Sequence, residues 1–260
     1  ANLINTLYTT TLGTVAAFTN AGRMYNFNLS DIDCDKDYSI YELINVQGDE
    51  KIILLTDMSS FNAYHNLITV SKNGYIKKSK ISEYNTKLKK GVVAVKLEDK
   101  DSLVGVFLSR NEKDRMFIAG SGGNYNFYKV EEISATGRAT KGVKAIKLNT
   151  GEFIQSVTIV KEDIPYKGIL TITSSGKGKI TSIEDFPETS RGIKGPQVMA
   201  TKEEKLSVVY AVPDTQEKIF ISTNNKAVLL NIESIPVQSR ITTGVRIIDA
   251  RDSNTTIEIM

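Results

Sequence analysis

The sequence predicts an all-β, propeller-like disc built from repeats of about 49–53 residues, each with four short strands. Two observations carry this prediction: a strand–turn–strand unit recurs along the chain, and a second glycine recurs in fixed phase with it. A third is that no long segment has the 3.6-residue period of an amphipathic helix. At 260 residues, we expect a single domain, 1–260.

The recurring unit reads as a β-hairpin with a tight turn. An example is ITVSKNGYIKKSKISEY, which begins at Ile68. The turn residues lie 52, 49, 53 and 49 positions apart, and Asn replaces Gly in the fifth copy because both residues tolerate the left-handed conformation. The hairpin turns are predicted near Gly22, Gly74, Gly123, Gly176 and Asn225.

A second glycine follows each of the last four hairpins by 17 to 19 residues. Three of these glycines open the apolar runs GVVAVKL, GVKAIKL and GVRIIDA, whereas the fourth opens the looser GPQVMAT. Counting back 51 residues from the first one reaches Ile40 in SIYELINV, where we expect a strand without the glycine or the cations. We refer to the four as the landmark glycines: Gly91, Gly142, Gly195 and Gly244.

An acidic turn and one more apolar strand follow each run, as in DKDSLVGVFL, which completes four strands per repeat. In the hairpin YIKKSKISEY we expect Tyr75, Ile76 and Ile81 to pack between blades. Lys77 or Lys78, and Lys80, are expected to point outward. The tyrosines of GRMYNF and GGNYNFY are expected in the core, which argues against a stacking platform for single strands.

The net charge of +3 is mild, so the position of the charges matters more than their sum. Residues 72–90 carry seven lysines against the single acid Glu83, whereas residues 20–38 carry a net charge of −2. The edge of the disc is therefore expected to be basic over most of its arc and acidic at one end.

Equivalent positions of successive blades would place the cations on one curved track, which suits a curved polyanion. Phosphate contacts of this kind bind duplex DNA without sequence preference. The candidate DNA-binding residues are Lys77, Lys78, Lys80, Lys87, Lys89, Lys90, Arg138, Lys141, Lys144, Lys177, Lys179, Arg191, Lys194, Arg240 and Arg246.

These segments resemble a known family over essentially the whole chain. The motifs are FTNAGRMYNFNLSDI, GYIKKSKISEYNTKLKKGVVAVKL, ATGRATKGVKAIKL and GKGKITSIEDFPETSRGIKG. They are similar to the C-terminal DNA-wrapping domain of the A subunits of bacterial DNA gyrase and topoisomerase IV. The resemblance implies a β-pinwheel, a propeller-like disc whose blades exchange strands and carry duplex DNA around a basic edge.

The resemblance also implies partners and location. The domain would perform no chemistry and hold no cofactor or metal, and its parent would be an ATP-dependent type IIA topoisomerase. We expect it to be monomeric by itself, joined to the rest of the gyrase A polypeptide and through it to the ATPase B subunit, in the cytoplasm at the nucleoid. In gyrase, the wrap presents a positive crossover to the catalytic core.

The family's hallmark loop, Q-R-R-G-G-[KR]-G, has no full copy in the sequence. The nearest segment is TSRGIKG at 189–195, which keeps Arg191, Gly192, Lys194 and Gly195. The chain opens just after the point where the hallmark loop is expected, and five turn motifs stand where many gyrases have six. Gyrase is favoured, and a topoisomerase IV domain with a weaker wrap is the alternative.

Enzymatic functions find little support in the sequence. There is no Walker-type phosphate loop, and GSGGNY ends in tyrosine and opens no helix, so it is better explained as a hairpin turn. His65 and Cys34 have no partners for a metal site or a catalytic triad. No 18-residue apolar window predicts a membrane span. The remaining rival function is a scaffold that binds a peptide at the central face of a propeller.

Overall fold

The computed structural model describes residues 7, 9–33, 35–86, 90–200, 204–223, 227–250 and 258–259. In these residues the chain forms short strands, 3₁₀ turns and one α-helix, α1 (Ile40–Leu43). The strands are β1 (Thr14–Thr19), β2 (Arg23–Asn28), β3 (Ile52–Asp57), β4 (Asn66–Ser71), β5 (Tyr75–Lys80), β6 (Val92–Val93), β7 (Leu103–Ser109), β8 (Arg115–Gly120), β9 (Tyr125–Lys129), β10 (Val143–Lys144), β11 (Ile154–Val160), β12 (Tyr166–Thr173), β13 (Lys177–Thr181), β14 (Leu206–Pro213), β15 (Lys218–Ser222), β16 (Ala227–Asn231), β17 (Val245–Arg246) and β18 (Glu258–Ile259).

The five predicted hairpins are all present, as β1–β2, β4–β5, β8–β9, β12–β13 and β15–β16. In the first four, the turn glycine donates its N–H to the carbonyl three residues earlier, as Gly74 does to Ser71 at 3.1 Å. Asn225, the predicted turn residue of the fifth hairpin, lies outside the described residues.

A 3₁₀ turn follows the second strand of every hairpin, and a sixth follows β3. In each of the five, the chain leaves the sheet through three or four residues that include at least one acidic side chain. The 3₁₀ turns are Leu29–Asp31, Met58–Ala63, Ile81–Tyr84, Val130–Glu132, Ile183–Asp185 and Ile232–Ser234.

Strands pass from one repeat to the previous one, as expected for a β-pinwheel. The short strand after a landmark glycine pairs with the second strand of the hairpin one repeat earlier: β6 pairs with β2, with Arg23 opposite Val93, and β17 pairs with β13, with Lys177 opposite Arg246. The sheet orders are β3-β1-β2-β6, β10-β5-β4-β7, β11-β8-β9, β14-β12-β13-β17 and β16-β15-β18. The prediction of four-stranded blades is therefore confirmed in three sheets, and the other two have three strands in the described residues.

The chain divides into two compact units. Unit 1 comprises residues 1–111 and 133–143, and unit 2 comprises residues 112–132 and 144–260. The core of unit 1 includes Phe18, Leu67 and Tyr84. In unit 2, one core cluster contains Phe117 stacked on Tyr125, with their ring centroids 4.8 Å apart. The single domain expected from the sequence stays a prediction.

The strand expected at SIYELINV is wrong, because Ile40–Leu43 forms one turn of α-helix. Its apolar residues Ile40, Leu43 and Ile44 are spaced i, i+3, i+4, which places them on one helix face. That face packs on the cluster formed by Val15, Tyr25 and neighbouring side chains. In the part of the chain that the structure describes, no helix is long and apolar enough to cross a membrane.

Candidate nucleic-acid interface

The candidate DNA-contacting elements are four segments of seven residues that each end at a landmark glycine: 85–91 and 136–142 in unit 1, and 189–195 and 238–244 in unit 2. We call these segments the basic loops. Three of them connect the 3₁₀ turn of one repeat to a short strand that joins the sheet of the previous repeat. After the third, 189–195, Gln197 forms only an isolated bridge with Asn124. Lys87 and Lys89 of the first basic loop lie outside the described residues.

The landmark glycines allow each basic loop to approach the hairpin of the previous repeat closely. Gly142 has φ +94°, and a Cβ atom there would lie 2.3 Å from the carbonyl oxygen of Ile76. Gly195 has φ +72°, and its Cβ would lie 1.8 Å from the carbonyl oxygen of Tyr125. Any other side chain would clash with the main chain and strain the backbone. The landmark glycines are therefore required by close contacts within the protein itself.

The prediction that Lys77 or Lys78 points outward is wrong. The Lys77 side chain is 1% exposed, and the neighbouring Lys78 is 6% exposed, so neither points outward. The Lys77 Nζ donates to the carbonyl oxygens of Arg138 at 2.5 Å and Ala94 at 2.8 Å, and to the Tyr84 hydroxyl at 2.9 Å. Lys77 therefore holds the second basic loop from inside. Ile76 and Ile81 are buried as expected.

Lys179 occupies the same position in its hairpin, three residues after the turn glycine, and it is also fully buried. Its Nζ donates to the carbonyl oxygens of Ser239 and Arg240, both at 2.6 Å, and to the Thr242 Oγ1 at 3.0 Å. The side chain is thus not exposed toward a ligand, and its phosphate contact stays a prediction. Its amine anchors the fourth basic loop.

Asn126 is the equivalent residue of the third hairpin, and sequence reasoning missed it. Its Nδ2 donates to the carbonyl oxygen of Ile193 at 3.0 Å, and its Oδ1 accepts from the Gly192 N–H at 3.0 Å. The amide thus anchors the third basic loop as the two amines anchor theirs. The signal in the sequence was its position, three residues after Gly123, in register with the two lysines.

Burial lowers the pKa of Lys77 to about 7 and the pKa of Lys179 to about 8, because the charged ammonium loses its hydration. The positive charges of Arg138 and Arg240, respectively, act in the same direction. Burial also raises the pKa of Tyr84 to about 12, which keeps that hydroxyl protonated. A neutral amine still donates two hydrogen bonds, so each anchor keeps two of its donor bonds when the amine is uncharged.

The three arginines of the basic loops are half-buried and turn toward the protein main chain. The Nη1 of Arg191 donates to the carbonyl oxygen of Lys144 at 2.7 Å, and that of Arg240 to the carbonyl oxygen of Gln197 at 2.5 Å. Arg138 makes the corresponding bond to the carbonyl oxygen of Val93.

Two further candidates are paired with acids. Lys141 forms an ion pair with Glu98, and its Nζ lies 3.6 Å from the centroid of the Tyr75 ring. Lys177 Nζ lies 2.5 Å from the Glu204 carboxylate. Both lysine side chains are about one-third exposed. The paired carboxylates offset part of each positive charge before a ligand binds.

Five candidates are exposed as the sequence predicted: Lys80, Lys90, Lys144, Lys194 and Arg246. Lys90 and Lys194 directly precede their landmark glycines, so they occupy equivalent positions of different repeats. Arg246 has Asp249 3.4 Å away, with both side chains nearly half exposed. Long charged side chains in such exposed positions can reach a polyanion.

The tyrosines of GRMYNF and GGNYNFY lie in the core, as predicted from the sequence. Tyr25, Tyr125 and Tyr128 are all fully buried, so none of the three presents a ring for base stacking.

The comparison with known families follows the same repeat boundaries. The model described as "DNA gyrase C-terminal domain, beta-propeller" matches residues 14–33, 65–110, 117–161, 169–211 and 219–256. The chain belongs to this family. The gyrase C-terminal domain family thus accounts for all five hairpins, and the resemblance drawn from the motifs is confirmed.

Relatives within this family carry the name of the DNA gyrase A protein. The Mycobacterium leprae protein is 28% identical over 249 residues, which are 93% of this chain and 19% of that protein. The protein of Escherichia coli strain K12 is 29% identical over 247 residues, or 92% of this chain and 28% of the relative. The chain thus spans less than a third of the length of either relative.

Two solved structures have the same fold. The C-terminal domain of DNA topoisomerase IV aligns with a TM-score of 0.83 at 20% identity, covering 96% of this chain and 80% of that one. The DNA gyrase A C-terminal domain aligns with a TM-score of 0.78 at 22% identity, covering 97% and 83%. At these identities the likeness concerns the fold alone.

Proposed function

We propose that this gyrase-family domain binds duplex DNA through its phosphates, without sequence preference, and bends or wraps it along the basic loops. The observation that carries the proposal is the recurrence of an exposed lysine directly before a landmark glycine, at Lys90 and Lys194. Repeats place these cations at equivalent points of their blades. A ligand with regularly spaced negative charge suits a set of cations that recurs at the same point of successive repeats.

Smooth bending of duplex DNA by about 40–90° costs on the order of 1–6 kcal/mol, so it needs several distributed contacts. The exposed residues Lys80, Lys90, Lys144, Lys194 and Arg246 supply such contacts, and they belong to four different repeats. Lys87 and Lys89, by their sequence position beside Lys90, extend the proposed set.

The parent protein is proposed to be the gyrase A polypeptide of an ATP-dependent type IIA topoisomerase, in which this domain directs DNA topology without taking part in the chemistry. The names of the relatives favour gyrase over topoisomerase IV. The proposed partners are duplex DNA, the rest of the gyrase A polypeptide and, through it, the ATPase B subunit. The domain by itself is proposed to be monomeric, and the parent to act in the cytoplasm at the nucleoid.

The test is closure of a nicked plasmid by ligase in the presence of the chain. Wrapping predicts a linking-number shift that grows with protein concentration. The triple variant Lys90→Glu, Lys194→Glu, Arg246→Glu should abolish the shift. A matched variant changes the exposed lysines Lys51, Lys205 and Lys218, which lie outside the basic loops, to Glu, and it should keep the shift.

The matched variant separates a local effect of the basic loops from a general effect of net charge, because both variants change the charge by the same amount. If the wild-type chain leaves the linking number unchanged and does not bind linear duplex at low salt, the proposal is wrong. If both variants lose the shift equally, the basic loops are not the binding surface.

A further inference from the structure

Three arginines of the basic loops repeat one set of hydrogen bonds. Arg138, Arg191 and Arg240 each lie four residues before a landmark glycine. Their Nη1 atoms donate to Val93, Lys144 and Gln197, and each of these acceptors lies two residues after the preceding landmark glycine. Each guanidinium therefore ties one basic loop to the segment that follows the previous one.

A second contact ties each of these loops to the 3₁₀ turn of the previous repeat. The Nε of Arg191 donates to the carbonyl oxygen of Glu132 at 3.1 Å, and that of Arg240 to the carbonyl oxygen of Asp185 at 3.1 Å. At Arg138 the main-chain N–H makes this contact instead, with the Glu83 carboxylate at 2.6 Å.

The acceptors of this second contact are also equivalent in the repeat. Glu83, Glu132 and Asp185 each lie nine residues after the turn glycine of their hairpin. The Nη1 contact arises in three repeats of different sequence and the Nε contact in two of them, so these contacts belong to the architecture of the loop.

The loop backbone beside two of these arginines is held from the other side as well. The carbonyl oxygens of Arg138 and Arg240 accept hydrogen bonds from the buried amines of Lys77 and Lys179. A phosphate that drew one of these guanidinium groups outward would therefore have to break internal bonds to carbonyl oxygens. Lysine could not replace Arg191 or Arg240, because an ammonium lacks the planar fork that reaches two carbonyl oxygens at fixed angles.

We propose that Arg138, Arg191 and Arg240 are positioning residues: they fix the basic loops so that the exposed lysines face the DNA, and they are not themselves the main phosphate ligands. The inference rests on the proposed binding of duplex DNA for its functional consequence. The hydrogen bonds that position the loops lie within the protein and can be tested without DNA.

The test uses Arg191→Lys, which keeps the positive charge but cannot make both carbonyl contacts. In the DNA-free chain we expect amide hydrogen exchange to accelerate at least about tenfold at Gly192, which donates to Ala145, and at Lys147, which donates to Ile193. Exchange within β12 and β13 should stay unchanged, which shows that the fold is intact. Arg240→Lys provides a second, independent variant for the fourth basic loop.

The matched control is Lys194→Ala, an exposed lysine of the same loop. It should leave the exchange of Gly192 and Lys147 unchanged and reduce the salt dependence of DNA binding. Arg191→Lys should weaken DNA bending severalfold although its charge is kept.

Wild-type exchange rates together with wild-type DNA bending in Arg191→Lys would overturn the inference. Unchanged exchange in Arg191→Ala together with a reduced salt slope would also overturn it, because that pair of results marks a direct phosphate ligand. If the wild-type chain fails to bind DNA at all, the proposed function fails, whereas accelerated exchange in the variants would still support the positioning contacts.

Discussion

The Nζ atom of Lys77 lies 2.5 Å from the carbonyl oxygen of Arg138, although the two residues are 61 positions apart in the sequence. The bond joins the second strand of one hairpin to the basic loop that follows the next hairpin. Asn126 and Lys179 make equivalent bonds to the third and fourth basic loops. Each of these basic loops is thus fixed by a buried polar side chain from the hairpin of the previous repeat.

Lys77→Met should lower the free energy of unfolding by about 1–3 kcal/mol at pH 7, because the carbonyl oxygens of Ala94 and Arg138 lose a buried donor. Urea unfolding followed by circular dichroism would measure the change. The control Lys80→Met alters an exposed lysine at the end of the same strand and should change stability by less than about 0.5 kcal/mol. Equal effects of the two variants would contradict the anchoring role.

The contribution of Lys77 to stability should rise with pH above neutrality. Its pKa is lowered to about 7 in the folded chain, whereas the unfolded chain keeps the ordinary value near 10.5. Between these values the unfolded chain binds more protons, so the free energy of unfolding increases with pH. Below about pH 7 both states are protonated and the dependence disappears.

Urea unfolding at pH 7 and pH 9 would measure this dependence. The difference in unfolding free energy between the wild type and Lys77→Met should move by about 1–3 kcal/mol in favour of the wild type. A difference that stays constant, or moves the other way, would show that the amine of Lys77 is not desolvated in the folded chain.

Gly142→Ala should destabilise the chain by about 3 kcal/mol or more. The new Cβ would lie 2.3 Å from the carbonyl oxygen of Ile76, in addition to the strain of a left-handed backbone. Gly151→Ala is the matched control, because Gly151 also has a positive φ, +84°, but no atom lies within 4 Å of its Cβ position. It should cost only about 1–2 kcal/mol.

Thermal unfolding of both variants would separate the clash from the strain. If Gly142→Ala is no more destabilised than Gly151→Ala, the loop is free to move away from the hairpin, and the close approach is not required.

Lys194→Ala should reduce the slope of log K against log salt concentration by about 0.9 for duplex DNA, the value of one phosphate contact. Fluorescence anisotropy over a range of salt concentrations would measure the slope. Lys218→Ala removes an exposed lysine at the start of β15, outside the basic loops, and should leave the slope unchanged. An unchanged slope in Lys194→Ala would remove this lysine from the interface.

Much of the fold could be predicted from local patterns. The hairpins followed from alternating apolar residues around a turn glycine, and the phase of the landmark glycines followed from their spacing. The helix at Ile40–Leu43 could not be predicted as easily, because a short segment with Ile40, Leu43 and Ile44 fits a strand as well as one helical turn.

The sequence by itself determined the positions of the repeats, the family and the clustering of cations before the landmark glycines. It could not determine which cations face water. The second strand β5 has four consecutive buried residues, Ile76 to Ser79, so the alternation that normally separates an inner from an outer face does not apply to Lys77 and Lys78.

Only the tertiary structure decided that Lys77 and Lys179 turn inward, that Arg191 bonds to main-chain oxygens, and that Lys194 remains exposed. The physical reason is that loop carbonyl groups removed from water need donors. The lysines and arginines nearest to these carbonyl groups supply them through contacts between residues about 45–65 positions apart, and no local pattern in the sequence specifies such contacts.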